Sequence, residues 1–168
     1  MNILQFDWAI LLLNLLKISG AFLLALPIAW EREHSTRIMG LRTFPLVAVA
    51  SCGYTLIAIA VVGLTEDAQA RIIQGLMSGI GFIGGGAILK EGASVRGTAT
   101  ATSIWTTGAL GAAMAYNQYE IALLLSMITY LTLRFLTPIE QQIGQTEPHT
   151  PDTSTKDSDG ESRTNIGD

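Results

Sequence analysis

Residues 8–30 read WAILLLNLLKISGAFLLALPIAW. Lys17 is the one ionisable side chain in that run. At a rise of ~1.5 Å per residue the run covers the ~30 Å hydrocarbon core of a bilayer. Trp8 and Trp30 stand at its two ends, where aromatic belts sit. It reads as a transmembrane helix, and with it the solvent for the rest of the chain becomes lipid. Asn14, Lys17 and Ala21 recur at i, i+3 and i+7, a face expected to turn into the bundle because a charge at mid-depth in lipid is costly.

Outward from this run the pattern repeats. A polar loop is expected over 31–43, with Thr43 as a candidate cap and Pro45 in the first turn of a second span over about 44–64. A third, glycine-rich span is expected over about 72–89, a fourth over about 98–116 and a fifth over about 121–137, ended by Pro138. The fold class is all-α, a polytopic transmembrane bundle of about five spans over residues 8–138. Residues 139–168 are polar and acidic and are expected to form a disordered cytoplasmic tail.

Composition agrees. Of 168 residues 49% are hydrophobic and 14% charged, well below the roughly 25% charged residues of an average soluble domain. The net charge of −4 comes mostly from Asp152, Asp157, Asp159, Glu161 and Asp168, so nothing points to a nucleic-acid partner. The single cysteine, Cys52, lies in an apolar run and reads as packing. The N-terminus lacks a basic leader, carries Asp7 and reads as a mature first span. Arg32, Arg37 and Arg42 in the first loop, with Lys90 and Arg96 in the third, place those loops in the cytoplasm. The N-terminus is then outside and the tail inside.

The third span carries Gly75 and Gly79 as a GxxxG pair, then Gly81, Gly84, Gly85 and Gly86. Each interior glycine costs about 1 kcal/mol in a helix relative to alanine, so another backbone is expected to approach closely. Thr98, Thr102, Thr106, Ala109 and Ala113 recur along the fourth span and are expected to supply the matching face. The sharper alternative is that Gly84–Gly86 breaks the helix and exposes carbonyls. Gly79, Gly81 and Gly84 also spell G-x-G-x-x-G, but inside an apolar run without a βαβ frame this is no dinucleotide site.

At the cytoplasmic edge Glu31, Arg32, Glu33, His34, Arg37 and Arg42 face Lys90, Glu91 and Arg96 across the expected topology. Such a mixture forms an ion-pair network more often than a metal cage, although Mg2+ prefers oxygen ligands of this kind. His34 reads as a solvated loop residue. No catalytic motif is present and no resident cofactor is expected.

Glu31-Arg-Glu33 followed by Gly40-Leu-Arg-Thr43, then Gly79-Ile-Gly-Phe-Ile-Gly84 with Gly86, then Val95-Arg-Gly97 and Ala101-Thr-Ser-Ile-Trp105 with Ala109-Leu-Gly111, resembles the MgtC/SapB family of bacterial inner-membrane proteins. The resemblance covers about residues 10–136. It implies a multi-pass protein of the bacterial inner membrane linked to magnesium limitation, more a regulator than a transporter. It carries over Glu31, Arg32, Gly40, Arg42, Thr43, Gly79, Gly81, Gly84, Glu91, Arg96, Gly97 and Trp105. Ala29, Trp30, Ala99 and Thr106 depart from the virulence-type pattern, which also has a folded soluble domain, and move the chain toward the SapB-like branch. Three functions stay open: a non-enzymatic modulator of divalent-cation homeostasis, an ion or small-solute transporter subunit, and a membrane partner of a larger complex. Besides the bilayer, the expected partners are a second copy or another membrane protein.

Overall fold

The computed structural model describes residues 7–35, 39–63, 65–91 and 94–144, with residues 91, 94 and 137–144 as backbone alone. The element order is α1 (Trp8–Ser35), α2 (Thr43–Val62), α3 (Glu66–Gly85), β1 (Leu89–Glu91), β2 (Ser94–Arg96), α4 (Thr98–Ala115) and α5 (Tyr119–Gly144). The protein is an all-α, multi-span bundle to which one two-stranded antiparallel hairpin, β1–β2, is added.

The central element is α4, which packs against all four other helices. Its buried face is small or hydroxylic: Thr100, Ser103, Thr107, Gly108 and Gly111, with Ile104 and Leu110. Each buried hydroxyl must find an acceptor where no water reaches. Ser103 Oγ donates to the Ala99 carbonyl at 2.6 Å and Thr107 Oγ1 to the Ser103 carbonyl at 2.8 Å, one turn back along the same helix. In α2, Thr55 Oγ1 does the same toward Ser51 at 2.7 Å. Small side chains let the axes close up. A Cβ on Gly111 would collide with the Ala48 carbonyl of α2, and one on Gly108 with the Ile80 side chain of α3.

Two contacts fix the register of α1 against α4. Arg32 of α1 donates to Thr100 Oγ1, and Lys17 Nζ donates to the Ala115 carbonyl at 3.2 Å. Both contacts lie about 22 Å apart along each helix at ~1.5 Å per residue, so the two helices run antiparallel without slip. α5 runs parallel to α1, joined by Ser126 Oγ donating to the Leu24 carbonyl at 2.6 Å.

Among the described residues three helices are long and apolar enough to cross a membrane: Trp8–Ser35, Thr43–Val62 and Tyr119–Leu136. The other two helices fall below that mark for different reasons. α4 packs against four helices and turns only one stripe outward, so most of its surface need not suit lipid. α3 opens with Glu66, Asp67, Gln69, Arg71 and Gln74.

Several expected boundaries move. Residues 31–35 are helical, not loop, because nothing breaks α1 after Trp30. His34 accordingly sits on α1, its Nδ1 2.9 Å from the Trp30 carbonyl. α3 begins at Glu66 and stops at Gly85, rather than spanning 72–89; its acidic first turn suits a helix N-terminus. The charged stretch around Lys90 forms the hairpin, with Leu89 opposite Arg96 and Lys90 opposite Val95. α5 passes Pro138 and ends at Gly144. The tail expected from 139 is therefore helical to 144, and its remainder, like Arg37, lies outside the described residues.

Candidate functional site

The charged residues of the first motif occupy the last turn of α1, and consecutive side chains there leave the helix about 100° apart. Each therefore meets a different neighbour. Glu31 faces α5, where Arg134 Nη1 lies 3.9 Å from its carboxylate, a partly exposed pair worth little by itself. Arg32 points inward and is 2% exposed. Its Nη2 donates to Thr100 Oγ1 at 2.5 Å, in the first turn of α4. Glu33 turns toward the entrance of α2, where its Oε2 accepts the Leu41 backbone N–H at 3.0 Å.

This last contact explains Gly40. It is buried against Glu33, and an added Cβ would overlap that carboxylate. The Gly40 carbonyl accepts the Thr43 N–H at 3.0 Å and the Phe44 N–H at 3.3 Å, so the glycine turn, and not a side chain, starts α2. Thr43 is the first helical residue and not the cap. The cap position is Arg42, exposed and without a side-chain capping bond. Pro45 does stand in the first turn.

The later motif closes the same end of the bundle. After Gly84 and Gly85 the helix unwinds through a turn, with Ala87 N–H bonded to the Gly84 carbonyl and Ile88 N–H to that of Gly85. Those carbonyls are therefore occupied by the chain's own backbone. Gly86 caps α3 with its N–H on the Phe82 carbonyl at 3.1 Å. The hairpin then returns to Gly97, the N-cap of α4, at φ +90°. A Cβ on Gly97 would run into the Ala87 carbonyl, so backbone angle and space both require glycine there. Lys90 and Arg96 project exposed from the hairpin; Glu91 ends β1.

Glu31, Arg32, Glu33, Gly40, Arg42 and Thr43 thus lie at the end of the bundle where α4 starts, with β1–β2 beside them. The helix-packing expectations fare differently. Among the glycines of α3, Gly84 makes the close approach, 3.1 Å from an added Cβ to the Ala101 carbonyl of α4. Gly75, Gly79 and Gly81 have no described residue within 4 Å of that position. Thr98, Thr102, Trp105 and Ala109 face outward on α4; of the expected matching face, Ala113 is buried. A four-residue spacing identified a real stripe, but the opposite side of α4 is the packed one.

Lys17 is half-buried and reaches α4. It is level with the last turn of α4 and the turn at Asn117, whose φ of 62° reverses the chain into α5. Asn14 is half-buried on the same side of α1, but the acceptor is the Ala115 carbonyl. A cation at a helix C-terminus is electrostatically favoured. Sequence reasoning missed Thr100, Arg134 and Ser126, since nothing in their own neighbourhoods sets them apart from other bundle residues. Among the described residues no group of three or more His, Cys, Asp or Glu is arranged to hold a metal ion.

Residues 18–142 match the family model described as the MgtC family. The chain is 33% identical over 138 residues to an uncharacterized protein of Synechocystis, covering 81% of this chain and 57% of that one. It is 35% identical to Protein MgtC of Salmonella typhimurium, covering 80% and 55%. It is 42% identical to Protein MgtC of Brucella abortus over 94 residues, covering 56% and 39%. The chain spans about half the length of these relatives. No solved structure matches.

Proposed function

Because the chain belongs to the MgtC family, we propose that it is a non-enzymatic modulator of magnesium, or more broadly divalent-cation, homeostasis. It is a multi-pass protein of the bacterial inner membrane. It works through the charged end formed by Glu31, Arg32, Arg42, Thr43, Glu91 and Arg96. The observation that carries this reading is the three-way tie of Glu31 to α5, Arg32 to α4 and Glu33 to the turn that starts α2. A charge cluster that only marked topology would have no reason to hold a buried guanidinium against the core helix. Here a change in charge or cation occupancy at the surface is coupled mechanically to α1, α2, α4 and α5 together.

All five helices cross the membrane in this reading, with the N-terminus outside and the charged end cytoplasmic. The antiparallel register of α1 and α4 supports it, and so do Arg42, Lys90, Arg96 and Arg134 at one end. α4, at 18 residues, is ~27 Å long.

The test is growth under magnesium limitation with Glu91→Ala and Arg96→Ala variants at equal membrane abundance. Loss of function with normal insertion is the expected result; wild-type behaviour in both would reduce the cluster to a topological marker. Magnesium flux into liposomes separates the rival transporter reading: flux that Glu91→Ala abolishes would make the protein a carrier.

A further inference from the structure

The outward side of α3 is mixed: Ile73, Met77, Phe82 and Ile83 are exposed, but so are polar side chains and glycines that α1 and α5 do not match. Asp67, Arg71, Gln74 and Ser78 recur at i, i+4, i+7 and i+11, all exposed, with Gly75, Gly79 and Phe82 beside them. Ile80 and Gly84, which dock on α4, lie on the opposite side. On α1 and α5 the outward residues are mostly Leu, Ile, Phe and Met, with Ser19 and Thr132 as small hydroxylic exceptions and no amide among them. A glutamine amide turned to hydrocarbon would leave hydrogen-bonding groups without partners, whereas a helical serine can bond the carbonyl one turn back. The two open glycines present bare backbone for a close approach that no described residue makes. Asp67 and Arg71 form no ion pair with any described residue.

We propose that the Asp67–Phe82 face of α3 is the contact between two copies of this chain, related by a two-fold axis along the membrane normal. The occupant follows from self-complementarity. In an isologous pair the same face meets itself. Gly75 and Gly79 then lie at the crossing point of the two α3 helices, in the right-handed geometry that glycine pairs at four-residue spacing permit. Gln74 and Ser78 find hydrogen-bond partners across the axis. Asp67 of one copy lies toward Arg71 of the other, and the reciprocal pair forms by symmetry. A purely apolar partner, or lipid, would leave the Gln74 amide unmatched. The face is separate from the charged end that carries the proposed function, so either can fail without the other.

The test uses the full chain in lipid vesicles. Single cysteines are introduced by Gly75→Cys or Gly79→Cys on a Cys52→Ser background, with Leu123→Cys on the lipid-facing side of α5 as control. Oxidation is expected to yield covalent dimers from the two α3 positions and not from position 123. Gly79→Leu should lower dimer energy transfer about tenfold at fixed protein-to-lipid ratio. Its monomer should stay folded, because no described residue occupies that space. Asp67→Arg should weaken the pair, and adding Arg71→Asp should restore it. Equal cross-linking at all three positions, or a monomer at every density tested, overturns the proposal.

Discussion

Arg32 offers the sharpest test of how the charged end is built. Its guanidinium is almost wholly buried, and its bond to Thr100 Oγ1 joins the last turn of α1 to the first turn of α4. A hydrogen bond from a charged donor is worth about 1.5–3 kcal/mol when buried. Thr100→Val removes the acceptor while keeping the shape, and should destabilise by about that amount. Arg32→Ala removes a large side chain with its charge and should cost more, about 3–5 kcal/mol. If the two residues act on each other, the double variant should cost less than the sum of the single ones, with a coupling of about 1–3 kcal/mol. At ~1.4 kcal/mol per tenfold change, that coupling shifts the unfolding equilibrium by roughly five- to 150-fold. The assay is reversible unfolding of the purified protein in mixed detergent micelles, followed by tryptophan fluorescence. A coupling under about 0.5 kcal/mol, the usual additivity error for distant sites, would refute the claim that Arg32 locks α1 to α4.

Three further outcomes follow from single contacts. Gly97→Ala should cost upward of about 2 kcal/mol in the same assay, since a left-handed backbone angle and an overlap with the Ala87 carbonyl both oppose it; Gly81→Ala, with open space around it, should instead stabilise α3 by up to about 1 kcal/mol. Lys17→Met keeps the apolar stem but removes the cation from the α4 C-terminus, and should lower the unfolding midpoint by the equivalent of about 1 kcal/mol. Ser126→Ala removes the tie between α5 and the Leu24 carbonyl and should cost about 0.6 kcal/mol, the average for an interhelical hydrogen bond in a membrane.

The long apolar helices α1, α2 and α5 were legible because a lipid-facing surface must be written in the sequence itself. α4 was placed to within a residue at its end because Gly97 and Asn117 mark it chemically: one takes a positive φ before the helix and the other just after it. The start of α3 was misplaced because its polar first turn looks like loop to any hydropathy reading, although Glu66 and Asp67 suit a helix N-terminus. The hairpin was missed because strands of three residues, β1 and β2, carry too little alternation to register. Pro138 failed as a stop signal, as α5 continues through it to Gly144. In the site, the sequence places Glu31, Arg32 and Glu33 side by side at the end of the first span. Their separate partners were not legible, because which neighbour each side chain meets depends on the helix continuing past Trp30 and on packing with segments up to 103 residues away.

The glycines show most clearly what a pattern can and cannot state. A glycine in a membrane helix says that some backbone or side chain comes near; it does not say whose. The spacing of Gly75 and Gly79 invites an intrachain partner, and α4 carries a small-residue stripe that would serve. Yet the contacts inside this chain fall at Gly84 on Ala101, at Gly108 on Ile80 and at Gly111 on Ala48. These glycines lie nearer the ends of their partner stripes or on the reverse face of α4. Both sets cost the helices the same conformational entropy, and only one set is offset by contacts within the chain. The Gly75–Gly79 pair leaves its part of that cost uncompensated in a single copy, which is the physical reason to look for its partner outside the chain and not for a better packing within it.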